Sequence, residues 1–212
     1  GLMTLTIDKA SAMVRLSAGD IAMRGGPLWS AGIVTGASVS REFSLNPYFV
    51  RFPTPHLTQV LSTPSTVDVY VNDRLVRRTD LAPGVFDITG IPALAGAGNT
   101  RVVVRDGLGR SQTIDATYYI TSAVLAKGLH DFQYAVGSRQ RFTLDGLDHR
   151  QSATMTHRLG LTNNLTLGVH AEGDGQLISG GPMVTARLGP LGDAEATFGV
   201  SRMRNGQVGR AV

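Results

Sequence analysis

Pro64-Ser65-Thr66-Val67-Asp68-Val69-Tyr70-Val71-Asn72 is the stretch on which the fold turns. Val67, Val69 and Val71 fall on one face of a strand, and Thr66, Asp68 and Tyr70 on the other. Asn72-Asp73 breaks the alternation, and Pro83-Gly84 marks a turn before a short apolar strand around 85–88. Segments 100–105 and 111–119 flank Asp106-Gly107-Leu108-Gly109, which has the chemistry of a tight hairpin. About four to six short strands in about 55 residues is the count of a small β-sandwich.

The sequence on either side is of another kind. Before the module, Leu5 and Ile7 share one face of 4–7, and Val14, Leu16 and Ala18 one face of 12–18. Gly19-Asp20 follows, then the Gly/Pro loop Met23-Arg24-Gly25-Gly26-Pro27-Leu28-Trp29, which reads as the tip of a hairpin. Segment 31–43 is a strand rich in small residues. Asn46-Pro47 ends it, and Arg51-Phe52-Pro53-Thr54-Pro55 is a stiff connector.

After the module, Phe132, Tyr134 and Val136 alternate with Asp131, Gln133 and Gly137, and Met155 and His157 alternate with Thr154, Thr156 and Arg158. The pattern repeats over 165–172, 184–188 and 194–201, with turn-forming residues between. Segments of about ten residues with one apolar face and one small or polar face are the signature of an outer-membrane barrel. A compact β domain spliced between them reads as a plug. The expected fold is therefore all-β: part of a large antiparallel transmembrane β-barrel carrying an inserted small, Ig-like β-sandwich plug domain. Barrel strands occupy 1–51 and 121–212, and the plug occupies 52–120.

Composition narrows the function. With no Cys among 212 residues, disulfides and thiolate metal chemistry are unavailable. The net charge of +4 is spread along the chain without a block of like charges, which argues against nucleic acid as a partner. No stretch reaches the roughly 18 apolar residues of a membrane helix, a test that barrel strands escape. Both ends lie beside strand-like sequence, as expected of an internal piece of a longer protein.

In its ordered motifs the chain resembles the outer-membrane ushers of the chaperone–usher pathway. The resemblance rests on 64–72, Pro83-Gly84-Val85-Phe86, Val102-Val103-Val104-Arg105-Asp106-Gly107-Leu108-Gly109-Arg110 and Leu125-Ala126-Lys127-Gly128-Leu129-His130-Asp131-Phe132. Gly19-Asp20 and Phe43-Ser44-Leu45-Asn46-Pro47 add to it. It implies a Gram-negative outer-membrane pore that secretes and assembles pilus subunits delivered by a periplasmic chaperone. The plug closes the lumen at rest and swings into the periplasm when a chaperone–subunit complex engages. By the same resemblance, the 23–29 hairpin lies against the plug, the partners are chaperone–pilin complexes, pilus subunits and lipid, and a usher homodimer is left open. The family's chaperone-recruiting N-terminal domain and paired C-terminal domains have no counterpart here, so this piece alone is not expected to secrete.

No residue set supports an enzyme. His56, His130, His149, His157 and His170 have no Cys, Asp or Glu at ligand spacing, so neither a metal nor a cofactor is expected. Gly96-Ala97-Gly98 and Asp106-Gly107-Leu108-Gly109 precede no helix and read as turns rather than phosphate cradles. Arg74, Arg77 and Arg78 cluster near one turn of the plug, and Arg101, Arg105 and Arg110 near another. These arginines are either a solvated surface that guards short strands against mispairing or a latch onto lumen carboxylates such as Glu172 or Glu195. Arg158, Glu172, Arg187 and Glu195 are the lumen-facing candidates. Trp29 is either a membrane-belt residue or a plug contact, and Phe132, Tyr134 and Phe198 are lipid-face candidates. The alternative of another class is a soluble secreted β-rich adhesin or structural module, which would need no detergent.

Overall fold

The computed structural model describes residues 2–29, 31–53, 57–88, 96–120, 123–143 and 146–212. His56 and the Thr54-Pro55 end of the connector lie outside them. In chain order the strands are β1 (Thr4–Lys9), β2 (Val14–Met23), β3 (Gly32–Arg41), β4 (Leu57–Leu61), β5 (Ser65–Val71) and β6 (Arg74–Leu81). Next come β7 (Gly84–Ile88), β8 (Gly96–Asp106), β9 (Ser111–Ile120), β10 (His130–Thr143) and β11 (Gly146–Thr162). The last are β12 (Leu165–Gly173), β13 (Leu177–Arg187), β14 (Asp193–Thr197), β15 (Gly199–Met203) and β16 (Val208–Ala211). Contacts divide the chain into two units, one of Gly1–Arg51, Val124–Ala186 and Ala194–Val212, the other of Phe52–Ala123 and Arg187–Asp193.

The first unit is one antiparallel sheet in the order β1-β2-β3-β10-β11-β12-β13-β15-β16, with β14 also paired to β13. β3 pairs directly with β10, from Ser40 opposite Gln133 to Val34 opposite Arg139, although the whole second unit lies between them in the chain. The inserted domain therefore stands where a meander would have a short turn.

Register sorts the sheet into two chemically opposite faces. One row runs Ile7, Leu16, Val39, Tyr134, Met155, Ala171, Gly180 and Val200 across eight strands. The row on the other face runs Thr6, Ser17, Ser38, Ala135, Thr154, Glu172, Ser179 and Ser201. Burial is inverted relative to a water-soluble protein: Ile7 is 64% exposed and Val200 53%, while Ser38 and Thr154 are each only 9% exposed. Apolar side chains facing outward in rows across neighbouring strands are what a lipid-facing wall requires.

The strands are longer than the alternation alone indicates. β2 continues through Gly19-Asp20 to Met23, because Asp20 is satisfied across the sheet by the Met3 amide at 2.9 Å and the Thr35 hydroxyl at 2.6 Å. β13 begins at Leu177 and carries Ser179-Gly180-Gly181-Pro182, residues whose composition signals a loop. Segment 194–201 is not one strand: it divides into β14 and β15 at Phe198, whose amide donates to the Pro182 carbonyl at 3.0 Å.

The second unit contains the four-stranded sheet β6-β5-β8-β9 and the two-stranded sheet β4-β7. Leu61, Val67, Val69, Val71, Val102 and Val104 form its core, with Val76, Leu81, Phe86 and Ile114 packed against them. Asn72 and Asp73 take φ of 49° and 62°, the left-handed pair that joins β5 to β6 in a two-residue hairpin. Arg74 directly follows the Asn72-Asp73 turn, and Arg77 and Arg78 continue along β6, a strand too charged for alternation to reveal.

Asp68 lies on the face of β5 away from that core, yet its side chain is 1% exposed. Arg78 covers it, donating from Nε at 2.6 Å and Nη2 at 3.0 Å, and an Arg105 nitrogen lies 3.8 Å away. The Arg78 hydrogen bonds hold the Asp68 carboxyl below its ordinary range, burial opposes them, and the charges of Arg78 and Arg105 add to the lowering. Because the folded-state pKa is depressed, the stabilisation is full above the ordinary carboxylate pKa and is lost as pH falls through the folded value. Arg78→Gln, which leaves a buried carboxylate without its main partner, should loosen β5 more than Asp68→Asn at neutral pH, and the difference should close in acid. Hydrogen exchange over 65–71 in the intact protein measures this. At neutral pH Arg78→Gln should lower protection by about tenfold or more.

Candidate functional site

The β2–β3 hairpin places chemistry over the polar face of the first unit. Beyond the Met23–Gly32 pair, Gly26 and Trp29 form a second, isolated bridge around Pro27-Leu28. Gly26 is required there, since a Cβ would stand 2.2 Å from the Trp29 ring. The indole lies over this glycine, and its Nε1 donates to the Arg24 carbonyl at 3.1 Å.

Two anchors hold the hairpin to the sheet. The Arg24 guanidinium pairs with Asp131 at 2.9 Å and donates to the Arg41 carbonyl at 3.0 Å. Gln133 clasps the β2 arm of the hairpin at its base, accepting from the Arg24 amide at 2.9 Å and donating to the Ala22 carbonyl at 3.1 Å. Farther out, the Trp29 ring stacks on His170, with centroids 4.0 Å apart and planes 9° apart. His170 is 4% exposed; its Nδ1 lies 3.3 Å from the Thr156 hydroxyl, and its Nε2 has no partner among the described residues. Gly180, Gly181 and Gly199 help leave a cavity of about 310 Å³ beside this stack, with Leu28 and Trp29 on its other side. Trp29 thus meets the polar face of its own sheet, not the apolar face where a membrane belt lies.

The lumen-facing candidates divide. Arg158 and Glu172 share the polar face with Thr154, Thr156 and His170. Glu172 is held within its own unit by Arg139 at 3.4 Å and the Ser179 hydroxyl at 3.2 Å. Arg187 follows Met183 and Thr185 on one face of β13, and Glu195 is exposed on β14. Phe132 and Tyr134 stack at 5.4 Å on the apolar face, and Phe198 is half exposed at the β14–β15 break.

Of the candidate arginines on the second unit, Arg78, Arg101, Arg105 and Arg110 are engaged by its own carboxylates. Arg78 and Arg105 attend Asp68, Arg101 pairs with Asp73 at 3.0 Å, and Arg110 with Asp106 at 2.7 Å. Arg101 also lies 5.1 Å from the Tyr70 ring centre. Asp106 further accepts the Leu108 and Arg110 amides at 3.0 and 2.9 Å, fixing the Gly107-Leu108-Gly109 turn. Those bonds, with Arg110 first, hold its carboxyl below the usual range. Arg74 and Arg77 lie exposed on β6.

A sheet that exposes its aliphatic face, buries its polar face beneath a folded-back hairpin, and carries a domain spliced between two paired strands has the build of a transmembrane β-barrel wall. The chain belongs to the outer-membrane ushers: the family described as "Outer membrane usher protein" matches residues 6–205. It is 26% identical over 164 residues to outer membrane usher protein FimC of Bordetella pertussis, covering 77% of this chain and 19% of that protein. It is 25% identical over 132 residues to outer membrane usher protein AfaC of Escherichia coli, covering 62% and 15%. The fold matches a chain in the cryo-EM structure of the E. coli P pilus tip assembly intermediate PapC-PapD-PapK-PapG, with a TM-score of 0.60 and 19% identity over 98% of this chain and 26% of that one. The chain thus spans about a fifth or less of the length of these curated relatives.

Sequence pattern gave the hairpin and Trp29, but not His170, Asp131 or Gln133 as its receptors. The signal available was the strict alternation of 165–172, which puts His170 among polar-face residues. Trp29→Ala and His170→Ala should each speed hydrogen exchange over 24–31, and a double-mutant cycle should give a coupling of about 0.5–1.5 kcal/mol. Additive effects would mean that the stack does not hold the hairpin.

Proposed function

We propose that this chain is the gated part of an outer-membrane usher pore, which secretes and assembles pilus subunits delivered by a periplasmic chaperone. The second unit is the plug of the lumen. One observation carries the reading: a separately cored domain interrupts the connection between β3 and β10, which pair with each other as neighbours in the wall. Such a domain can move about its two connections without breaking a strand of the barrel. The protein's work in this reading is gating and passage of folded subunits, with no bond chemistry. Energy to displace the plug comes from tighter binding of the chaperone–subunit complex to the open state.

The hairpin over the polar face is the natural support of the closed plug. Arg74, Arg77, Arg78, Arg101, Arg105 and Arg110 meeting Glu172 or Glu195 form its electrostatic part. Most of these groups have partners inside their own units, so a latch works by exchanging partners, and each such pair in a wet lumen contributes about 0–1 kcal/mol. The exposed aliphatic rows count against a soluble adhesin.

Planar-bilayer conductance of the intact protein, with and without residues 56–119, tests the gate. Deletion should convert brief, small openings into a large and steady one. A deleted barrel that inserts but conducts no more than the parent would remove the second unit from the lumen.

A further inference from the structure

On the apolar face, where β10 begins, two histidines meet that the chain separates by 27 residues: His130 Nδ1 lies 2.9 Å from His157 Nε2. The rings stand nearly perpendicular, at 86°, with centroids 5.2 Å apart. On its far side, His157 Nδ1 is hydrogen bonded to the Tyr134 hydroxyl. With Nδ1–H donated to that oxygen, Nε2 accepts a hydrogen bond from His130 Nδ1–H, which a bound ion would replace as His130 shifts its proton to the other ring nitrogen. A ligand imidazole is oriented in this way by an outer partner on its other nitrogen. Phe132 stacks against the His157 ring at 6.0 Å and further restricts its rotation.

The spacing has a specific chemical meaning. Two nitrogens bound at about 2.0–2.1 Å to one ion, at about a right angle, stand about 2.9 Å apart. That is the cis arrangement of a tetragonal centre, favoured by Cu²⁺ and Ni²⁺. We propose that His130 and His157 form a two-histidine site for a borderline divalent transition-metal ion, Cu²⁺ before Ni²⁺ or Zn²⁺, that clips β10 to β11. Among the described residues no group of three or more His, Cys, Asp or Glu could hold a metal, so the remaining coordination positions belong to water. His130 is exposed and leaves room for it. Two features keep the affinity modest. Asp131 points to the other face, where Arg24 holds it, and the Arg41 guanidinium donates to the His130 carbonyl at 3.1 Å, bringing a positive charge close by.

His130 is the first residue of β10, where the chain re-enters the wall after the inserted domain. A bound ion would therefore pin the point at which fraying of β10 begins. The inference does not depend on the gating reading.

The test uses the intact, untagged protein in detergent, stripped with chelator and titrated with Cu²⁺ near neutral pH, where imidazole is largely deprotonated. Electron paramagnetic resonance should show nitrogen splitting from two imidazoles. His130→Asn and His157→Asn should each weaken binding by about tenfold or more, while His149→Asn leaves it unchanged. Binding equal in the wild type and the double variant, or a spectrum without nitrogen splitting, overturns the proposal. A readout on the wild type alone guards against misfolded variants: Zn²⁺ should slow amide exchange at 130–136 and 153–159 but not at 165–171. Uniform slowing, or none, also overturns it.

Discussion

Direct pairing of β3 with β10 is the constraint on which the rest depends. It forces 52–123 to leave and return at one edge of the same pair of strands, so the inserted unit needs a core of its own. It has one, in valines of β5 and β8 with Leu61 from β4. Pairing also aligns the small-residue strand β3 with the aromatic start of β10, which completes the apolar rows across the wall. An insertion at an interior pair leaves those rows unbroken.

Inverted burial then separates two kinds of energetics. The wall gains stability from its ladders and from lipid against its aliphatic rows, and its backbone groups have no solvent alternative at membrane depth. The hairpin is held far more weakly, by the Arg24 ion pair and its bond to the Arg41 carbonyl, the Gln133 hydrogen bonds and one aromatic stack. Such contacts amount to a few kcal/mol at most. Breaking these contacts leaves the β2–β3 ladder itself whole, as the proposed support of a gated plug requires. Within the inserted unit, Asp68 and its arginines knit β5 to β6 and β8 on the face opposite the valine core.

Much of this was legible in the sequence. Strict alternation at 131–137, 153–159 and 165–172 placed each side chain on its observed face, because a period of two leaves no ambiguity once a strand is recognised. Strand ends were less legible. Gly19-Asp20 and Ser179-Gly180-Gly181-Pro182 carry loop chemistry but lie in strands, since cross-strand partners satisfy Asp20 and the glycines admit close backbone approach. Charged β6 and the four-residue β16 gave no periodic signal. The contacts of Trp29 with His170, and of His130 with His157, were hidden for another reason: fold-back of the hairpin brings the first pair together and register between β10 and β11 the second, not spacing along the chain.

These 212 residues contain no cysteine, so single labels placed among them report on the central claim directly. Nitroxide labels on single cysteines at Leu16, Ser17, Met155 and Thr156 of the intact protein in bilayers would report which face meets lipid. The account predicts alternation: oxygen dissolved in lipid relaxes the labels at 16 and 155, and a water-soluble nickel chelate relaxes those at 17 and 156. If all four labels favoured the water-soluble relaxant, the sheet would not be a membrane wall, and the inserted unit would have no lumen to close.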